Sequence, residues 1–187
     1  MCYSNNEIKW LKKITMGQTE NLILRTVAVD FISKIIDEDN SAYEDIGVNK
    51  TEGWPEEALK EVLPIIKENL IKGVPDKFQV WLFIEKATNT IVGSGGFKGC
   101  PNERGEIDLG YGIAEEHRKK GYGFEGAKAL LQWAFTEKEV QAVTASCLKT
   151  NEPSNKILNK LQMKQIKEDE EYYYFEMRRG DCESLHL

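Results

Sequence analysis

Ile107-Asp108-Leu109-Gly110-Tyr111-Gly112-Ile113-Ala114, then Arg118-Lys119-Lys120-Gly121-Tyr122-Gly123, then Phe124 to Phe135, is the stretch that decides how this chain folds. The first part reads as a strand from Gly105 to Ala114. The last part places Phe124, Ala127, Leu130, Leu131, Ala134 and Phe135 on one helical face. Between them, a loop of three cations and two glycines opens the helix. A helix start leaves backbone N–H groups unpaired and carries the positive end of the macrodipole. Glycines let those groups approach an anion closely, and successive inward N–H groups form an anion nest. The loop therefore reads as a phosphate cradle. It is neither a P-loop, which needs Gly-x-x-x-x-Gly-Lys-Ser/Thr, nor the three-glycine dinucleotide fingerprint. On residues alone, a basic turn with a glycine cap remains the alternative.

Working outward, Leu22 to Val27 is a strand candidate, and a helix follows from Val29 with Phe31, Ile32, Ile35 and Ile36 on one face and Asp30 as a cap. Asp37 to Thr51 is polar and reads as a loop. A second helix opens at Gly53-Trp54-Pro55-Glu56-Glu57, with Pro55 suited to its first position and Pro64 expected to break or kink it. Phe78 to Glu85 and Ile91 to Lys98 read as a hairpin around Thr88-Asn89-Thr90. Gly93, Gly95 and Gly96 mark a bulge or a close approach in its second strand. Val140 to Leu148 is a strand, Asn151-Glu152-Pro153-Ser154 starts a short helix, and Gln165-Ile166 with Tyr172 to Arg178 form a last hairpin. The fold class is α+β: a mixed, mostly antiparallel central sheet of six or seven strands flanked by about four helices. One domain is expected over 19–180, with a loose arm over 1–18 and a tail over 181–187.

The 187 residues suit a single sizeable core, and 41% hydrophobic with 30% charged residues suits a soluble globular chain. A formal net charge of -6 argues against nucleic-acid binding and is compatible with a cationic acceptor. Cys2, Cys100, Cys147 and Cys182 form no Cys-x-x-Cys pair and the chain has two histidines, so no metal site is expected. Free thiols, no apolar run of signal-peptide length and no membrane-length segment make a cytoplasmic protein without membrane contact the default. A monomer and a homodimer both fit.

Arg118-x-x-Gly121-x-Gly123 matches the pyrophosphate motif of the GNAT superfamily of acyl-CoA-dependent N-acetyltransferases, and the chain resembles that superfamily. Leu22-Ile23-Leu24-Arg25, Gly105 to Ile113 and Asn151-x-x-Ser154 resemble the subgroup that includes the ribosomal-protein alanine N-acetyltransferases. The likeness spans roughly residues 20 to 178. It implies that the strand holding Ile113 and Ala114 splays from Val140–Leu148 to receive the pantetheine arm of acetyl-CoA. It implies that Ile113, Ala114, Arg118, Lys119, Lys120, Gly121, Tyr122, Gly123 and Asn151 bind the cofactor. An amine, from a protein N-terminus or a small molecule such as an antibiotic or polyamine, would attack the thioester directly. Asp108 matches a position where the subgroup often has Glu. Asp108 and Glu106, sharing a strand face, are candidates for binding the ammonium or relaying its proton. Ser154 is the candidate donor to the leaving thiolate; Asn151 and Ser154 also suit a helix cap. Leu158 stands where many relatives carry a tyrosine acid, and Gln162-Met163 replaces the usual Gly-Phe. Trp54 and Trp81 are candidates for an acceptor pocket, to be built from 37–55 and 100–104. The runner-up is a non-catalytic acyl-CoA-binding module, and a nucleotide-binding protein is disfavoured because no acidic magnesium-binding motif accompanies the loop.

Overall fold

Short runs rich in β-branched and aromatic residues build one sheet of eight strands. A computed structural model describes residues 15–16 and 18–184 of the chain, with side chains over 18–181. The strands are β1 (Thr15–Met16), β2 (Leu22–Thr26), β3 (Val80–Glu85), β4 (Thr90–Phe97), β5 (Glu106–Ile113), β6 (Ala142–Leu148), β7 (Lys164–Glu168) and β8 (Tyr172–Arg178), in the order β1-β2-β3-β4-β5-β6-β8-β7. Every neighbouring pair is antiparallel except β5 and β6. That exception follows from the helix between them, α4 (Tyr122–Ala134), which carries the chain back to start β6 alongside β5. The other helices are α1 (Val29–Ile36), α2 (Ser41–Ile46), α3 (Glu57–Ile71), α5 (Glu152–Lys160) and α6 (Arg179–Ser184).

Each face of the sheet carries its own core. On one, Leu24, Trp81, Phe83, Leu109 and Phe175 pack with Leu130 and Leu131 of α4 and Leu158 of α5. On the other, Leu82, Ile84 and Ile91 pack with Phe31 and Ile32 of α1, Leu63 of α3 and Trp54. Burial of each such side chain stabilises by roughly 1.5–3 kcal/mol. Helix α4 lies tight on the sheet because Gly126 has no side chain: a Cβ there would sit 2.4 Å from the ring of Phe83. Gly126→Ala is therefore expected to destabilise the protein by about 1–3 kcal/mol through overpacking, despite alanine's better helix propensity. Chemical denaturation measures this; a stabilised variant would contradict the packing described.

Local signals were overridden in identifiable places. Pro64 lies inside α3, which runs unbroken, because its ring and the Lys60 carbonyl it leaves unpaired are both on the exposed side. Pro55 precedes α3 instead of opening it; the Trp54–Pro55 peptide is cis and Glu56 is the N-cap. The polar stretch 37–51 contains α2, which anchors on buried Ala42 and Tyr43 and ends at Gly47 in the left-handed region. Asp30 does not cap α1, whose N-cap is Ala28; it faces the dipole from within the first turn. Trp81 is fully buried, with its indole N–H on the Lys77 carbonyl, and so lines no pocket. Of the N-terminal arm, Thr15–Met16 pair with β2, and α6 reaches into the expected tail; residues 1–14, 17 and 185–187 lie outside those described.

Candidate active site

β5 and β6 pair only over Glu106–Asp108 and Ala142–Thr144. Beyond that point β5 follows β4 to Ile113 and β6 follows β8 to Leu148, so the two strands part. Backbone direction in the wedge follows from alternation. Lys98 N–H donates to the Asp108 carbonyl and Ala114 N–H to that of Val92, so even-numbered β5 residues turn their backbone groups toward β4. Tyr111 and Ile113 consequently turn theirs into the wedge. On the opposite side Ala142 N–H donates to the Gly105 carbonyl, so Ser146 faces the wedge by the same alternation. The open stretch from Asp108 to Ile113 is about 16 Å long at ~3.3 Å per residue.

The basic loop lies at the mouth of this wedge. Arg118 folds back so that its Nε donates to the Ile113 carbonyl at 3.1 Å. Lys119 adopts φ +63° and Gly121 φ +90°, which turns the chain into α4. The first bond of that helix runs from Glu125 N–H to the Gly121 carbonyl, so the N–H groups of Tyr122, Gly123 and Phe124 have no intrahelical acceptor. Lys119 and Lys120 stand exposed beside them. The Tyr122 hydroxyl is turned away and donates to Glu85, which pushes the phenol up to about 12. Gly123 is buried: a Cβ there would meet Ile157 Cδ1 at 3.0 Å and Ile113 Cγ1 at 3.5 Å, so its smallness serves the α4–α5 contact. Of the two loop glycines, Gly121 is the one with no atom within 4 Å of where a Cβ would be.

Across the wedge, Asn151 caps α5 by accepting from Ser154 N–H at 3.2 Å. The Tyr111 hydroxyl reaches the Ser154 carbonyl at 3.4 Å, and burial pushes this phenol well up. Asn155 latches α5 to the end of β6, donating to the Leu148 carbonyl and accepting from the Cys147 thiol at 3.2 Å. Leu158 is buried in the core.

The other face of β5 carries Glu106, Asp108, Gly110 and Gly112. Glu106 is far from the wedge mouth and accepts from Asn102 Nδ2 at 2.9 Å in the loop before the strand. Asp108 lies where the strands begin to part; it pairs with Lys98 at 2.5 Å and accepts from the Thr144 hydroxyl at 3.1 Å. Gly110 is exposed, with nothing within 4 Å of where a Cβ would be. Over Gly112 lies a carboxylate that the sequence reading did not single out. A Cβ on Gly112 would stand 2.9 Å from Glu56 Oε1, and that oxygen is buried without a hydrogen-bond partner among the described residues. Burial pushes the Glu56 carboxyl up, against its own N–H and the Arg118 guanidinium, which pull the other way. Ser94, opposite Gly112 on β4, accepts from the Trp54 indole at 3.4 Å. The preceding loop is tied to the phosphate-loop entrance: the Thr51 hydroxyl donates to Glu116 and lies 2.8 Å from His117 Nε2.

The amino-acid sequence matches one family, described as Acetyltransferase (GNAT) domain, over residues 21–164. The chain belongs to the GNAT acetyltransferase family. Over 145 residues it is 34% identical to the uncharacterized N-acetyltransferase YjdG of Bacillus subtilis (strain 168), covering 77% of this chain and 86% of that one. Its structure is similar to that of the ribosomal-protein-S5-alanine acetyltransferase from Vibrio fischeri, with TM-score 0.64 at 14% identity over 90% of this chain and 98% of that one. It is also similar to a ribosomal L7/L12 alpha-N-protein acetyltransferase in complex with coenzyme A, with TM-score 0.64 at 13% identity over 88% and 98%. At those identities the likeness shows the shared GNAT fold. The chain is accordingly an N-acetyltransferase, and no helix among its described residues is long and apolar enough to cross a membrane.

The features of this GNAT chain fit a coenzyme A thioester. Tyr111, Ser146 and the N–H of Ile113, whose carbonyl Arg118 already engages, offer backbone groups to the amides of an extended arm, and the α4 start with Arg118, Lys119 and Lys120 suits a diphosphate. Ala114 is the exception, because its N–H is taken by Val92 and its methyl is buried. Glu56 had a readable signal: Gly110 and Gly112, two apart on one strand face, leave room for something close. Its own position, beside Glu57 at a helix start, looked like ordinary dipole compensation.

Proposed function

We propose that this enzyme transfers the acetyl group of acetyl-CoA to a primary amine by direct attack on the thioester. The single observation that carries this reading is the parting of β5 from β6 directly behind the α4 helix start. The phosphates would lie on the N–H groups of Tyr122, Gly123 and Phe124, flanked by Arg118, Lys119 and Lys120, with the Gly121 backbone between them. Ile113 and Tyr111 would hold the arm, and Asn151 would fix the α5 start against it. Once bound, acetyl-CoA would supply an activated acetyl carbon: the amine nitrogen would bond to it as the C–S bond broke, and the proton lost from that nitrogen would balance the one the leaving thiolate gains. Ser154, on the α5 side of the wedge, is the group to donate a hydrogen bond or proton there, with Leu158 apolar and the Tyr111 hydroxyl given to the Ser154 carbonyl. Asp108, held by Lys98 and Thr144, fixes the point where the strands part and lines the acceptor face. Glu106, engaged by Asn102, has a turn-holding role. An N-terminal residue of a protein and a small polycation are both primary-amine acceptors of this kind, and the -6 net charge favours a cationic one.

Calorimetric titration with acetyl-CoA, with ATP as control, tests the cofactor. Saturable binding of acetyl-CoA and none of ATP is expected. The double variant Lys119→Glu, Lys120→Glu should lose at least about tenfold in affinity, with a weaker salt dependence, since it reverses two exposed charges beside the diphosphate. Unchanged affinity would remove the loop from the site. Absence of acetyl-CoA binding to the wild type would overturn the reading.

A further inference from the structure

Over the acceptor face of β5 stands a half-buried carboxylate, Glu56, one oxygen of which has no hydrogen-bond partner among the described residues. Lys98 and Thr144 engage Asp108, and Asn102 engages Glu106. Glu56 has neither an ion pair nor a side-chain donor of that kind: it stands over the centre of the sheet with one oxygen buried and without a hydrogen-bond partner among the described residues, 2.9 Å from where a Gly112 Cβ would be. Leaving a carboxylate oxygen so placed is costly unless a ligand donates to it.

The surroundings indicate what that ligand is. Gly112 lies beneath the carboxylate, and exposed Gly110 opens a slot next to it along the strand. Trp54 and Ser94 close the β4 side, and the indole N–H is already given to the Ser94 hydroxyl. Arg118 is the cation that acts on Glu56 from the phosphate loop, and its Nε is given to the Ile113 carbonyl. The slot thus offers an acceptor oxygen, a narrow glycine floor and an aromatic wall, which suits a small cationic N–H donor. The chain from Asp37 to Glu61, which leads to this point, carries nine carboxylates against two lysines and would draw such a cation inward.

We propose that Glu56 binds the acceptor's ammonium group above Gly110 and Gly112 and takes its proton. The inference rests on the acetyl-transfer reading above and names the group that prepares the amine. In the step, one N–H bond of the ammonium breaks, its electron pair stays on nitrogen, and the proton passes to the Glu56 carboxylate. A neutral amine and a protonated carboxyl result. Burial raises the basicity of Glu56 and so brings it nearer to the task. Because the carboxylate must be ionised to act, turnover should fall as pH drops through the Glu56 pKa.

The test uses the full chain labelled with 13C at glutamate carboxyl carbons, without cofactor. A resonance absent from Glu56→Gln identifies Glu56. It is expected to titrate above the ordinary glutamate range and to shift on addition of ethylammonium chloride. Tetramethylammonium chloride, which has no N–H, should leave it unmoved. In steady-state assays Glu56→Gln should lower turnover by about 100-fold or more and lose the acidic limb of the pH profile. Its acetyl-CoA affinity should stay within about twofold of wild type, as the variant keeps shape and leaves the phosphate loop intact. Titration in the ordinary range with no response to ethylammonium would overturn the proposal, as would a wild-type pH profile in Glu56→Gln. An ethylammonium response in a protein that does not bind acetyl-CoA would instead leave the ammonium site standing and sink the transfer reading.

Discussion

Gly110→Val is expected to suppress amine acetylation by at least about 100-fold while leaving the fold and the acetyl-CoA affinity intact. Gly110 lies opposite Gly96 in the middle of the sheet, yet it is exposed and no atom stands within 4 Å of where its Cβ would be. Its backbone is ordinary strand, which valine favours, so stability should change by no more than about 0.5 kcal/mol. What the two methyl groups would fill is the space between Asp108 and Glu56, where the acceptor nitrogen has to stand. The Tyr111 and Ile113 backbone groups, which face the wedge from the other edge of β5, are untouched. Melting temperature, calorimetry and steady-state rates separate these effects. Normal turnover in the variant would show that the amine does not approach over this face.

Gly123→Val is expected to weaken acetyl-CoA binding strongly and to destabilise the protein by about 1–3 kcal/mol at once. The cause is not the phosphate alone. The added Cβ stands 3.0 Å from Ile157 Cδ1 on α5 and in contact with Ile113 Cγ1 at 3.5 Å, so the α4–α5 contact has to loosen and is expected to carry the start of α4 with it. That shift moves the N–H groups of Tyr122 and Phe124. A second substitution, Ile157→Ala, removes the nearer of those contacts and should recover part of both the stability and the affinity, because residues in contact couple. If Ile157→Ala recovered neither, Gly123 would be small for the ligand's sake, as a reading of the motif alone suggests.

The contrast at Gly123 shows what was legible in the sequence and what was not. The strand–loop–helix order around Arg118 to Gly123 was readable because each part has a local cause: alternation, unpaired N–H groups and a 3.6-residue apolar stripe. The Asn151 cap was readable for the same reason, since a cap is satisfied within three residues. The splay of β5 from β6 came from family resemblance; no local pattern encodes where two strands stop pairing. Glu56 was missed because its burial depends on residues distant in sequence, Gly112 below it and Ser94, which holds the indole of nearby Trp54. Tyr111 was read as a strand residue, and its reach to Ser154 across the wedge depends on where α5 starts. Pro64 illustrates the reverse case, where a strong local signal lost to the packing of the helix that contains it.

Amide hydrogen exchange at Tyr111 and Ile113, with and without acetyl-CoA, tests the central claim most directly. If the parted strands receive the acyl-CoA arm, both N–H groups should exchange more slowly in the complex, and ATP at the same concentration should not protect them. Saturable acetyl-CoA binding that leaves Tyr111 and Ile113 exchanging as in the free protein would contradict the account.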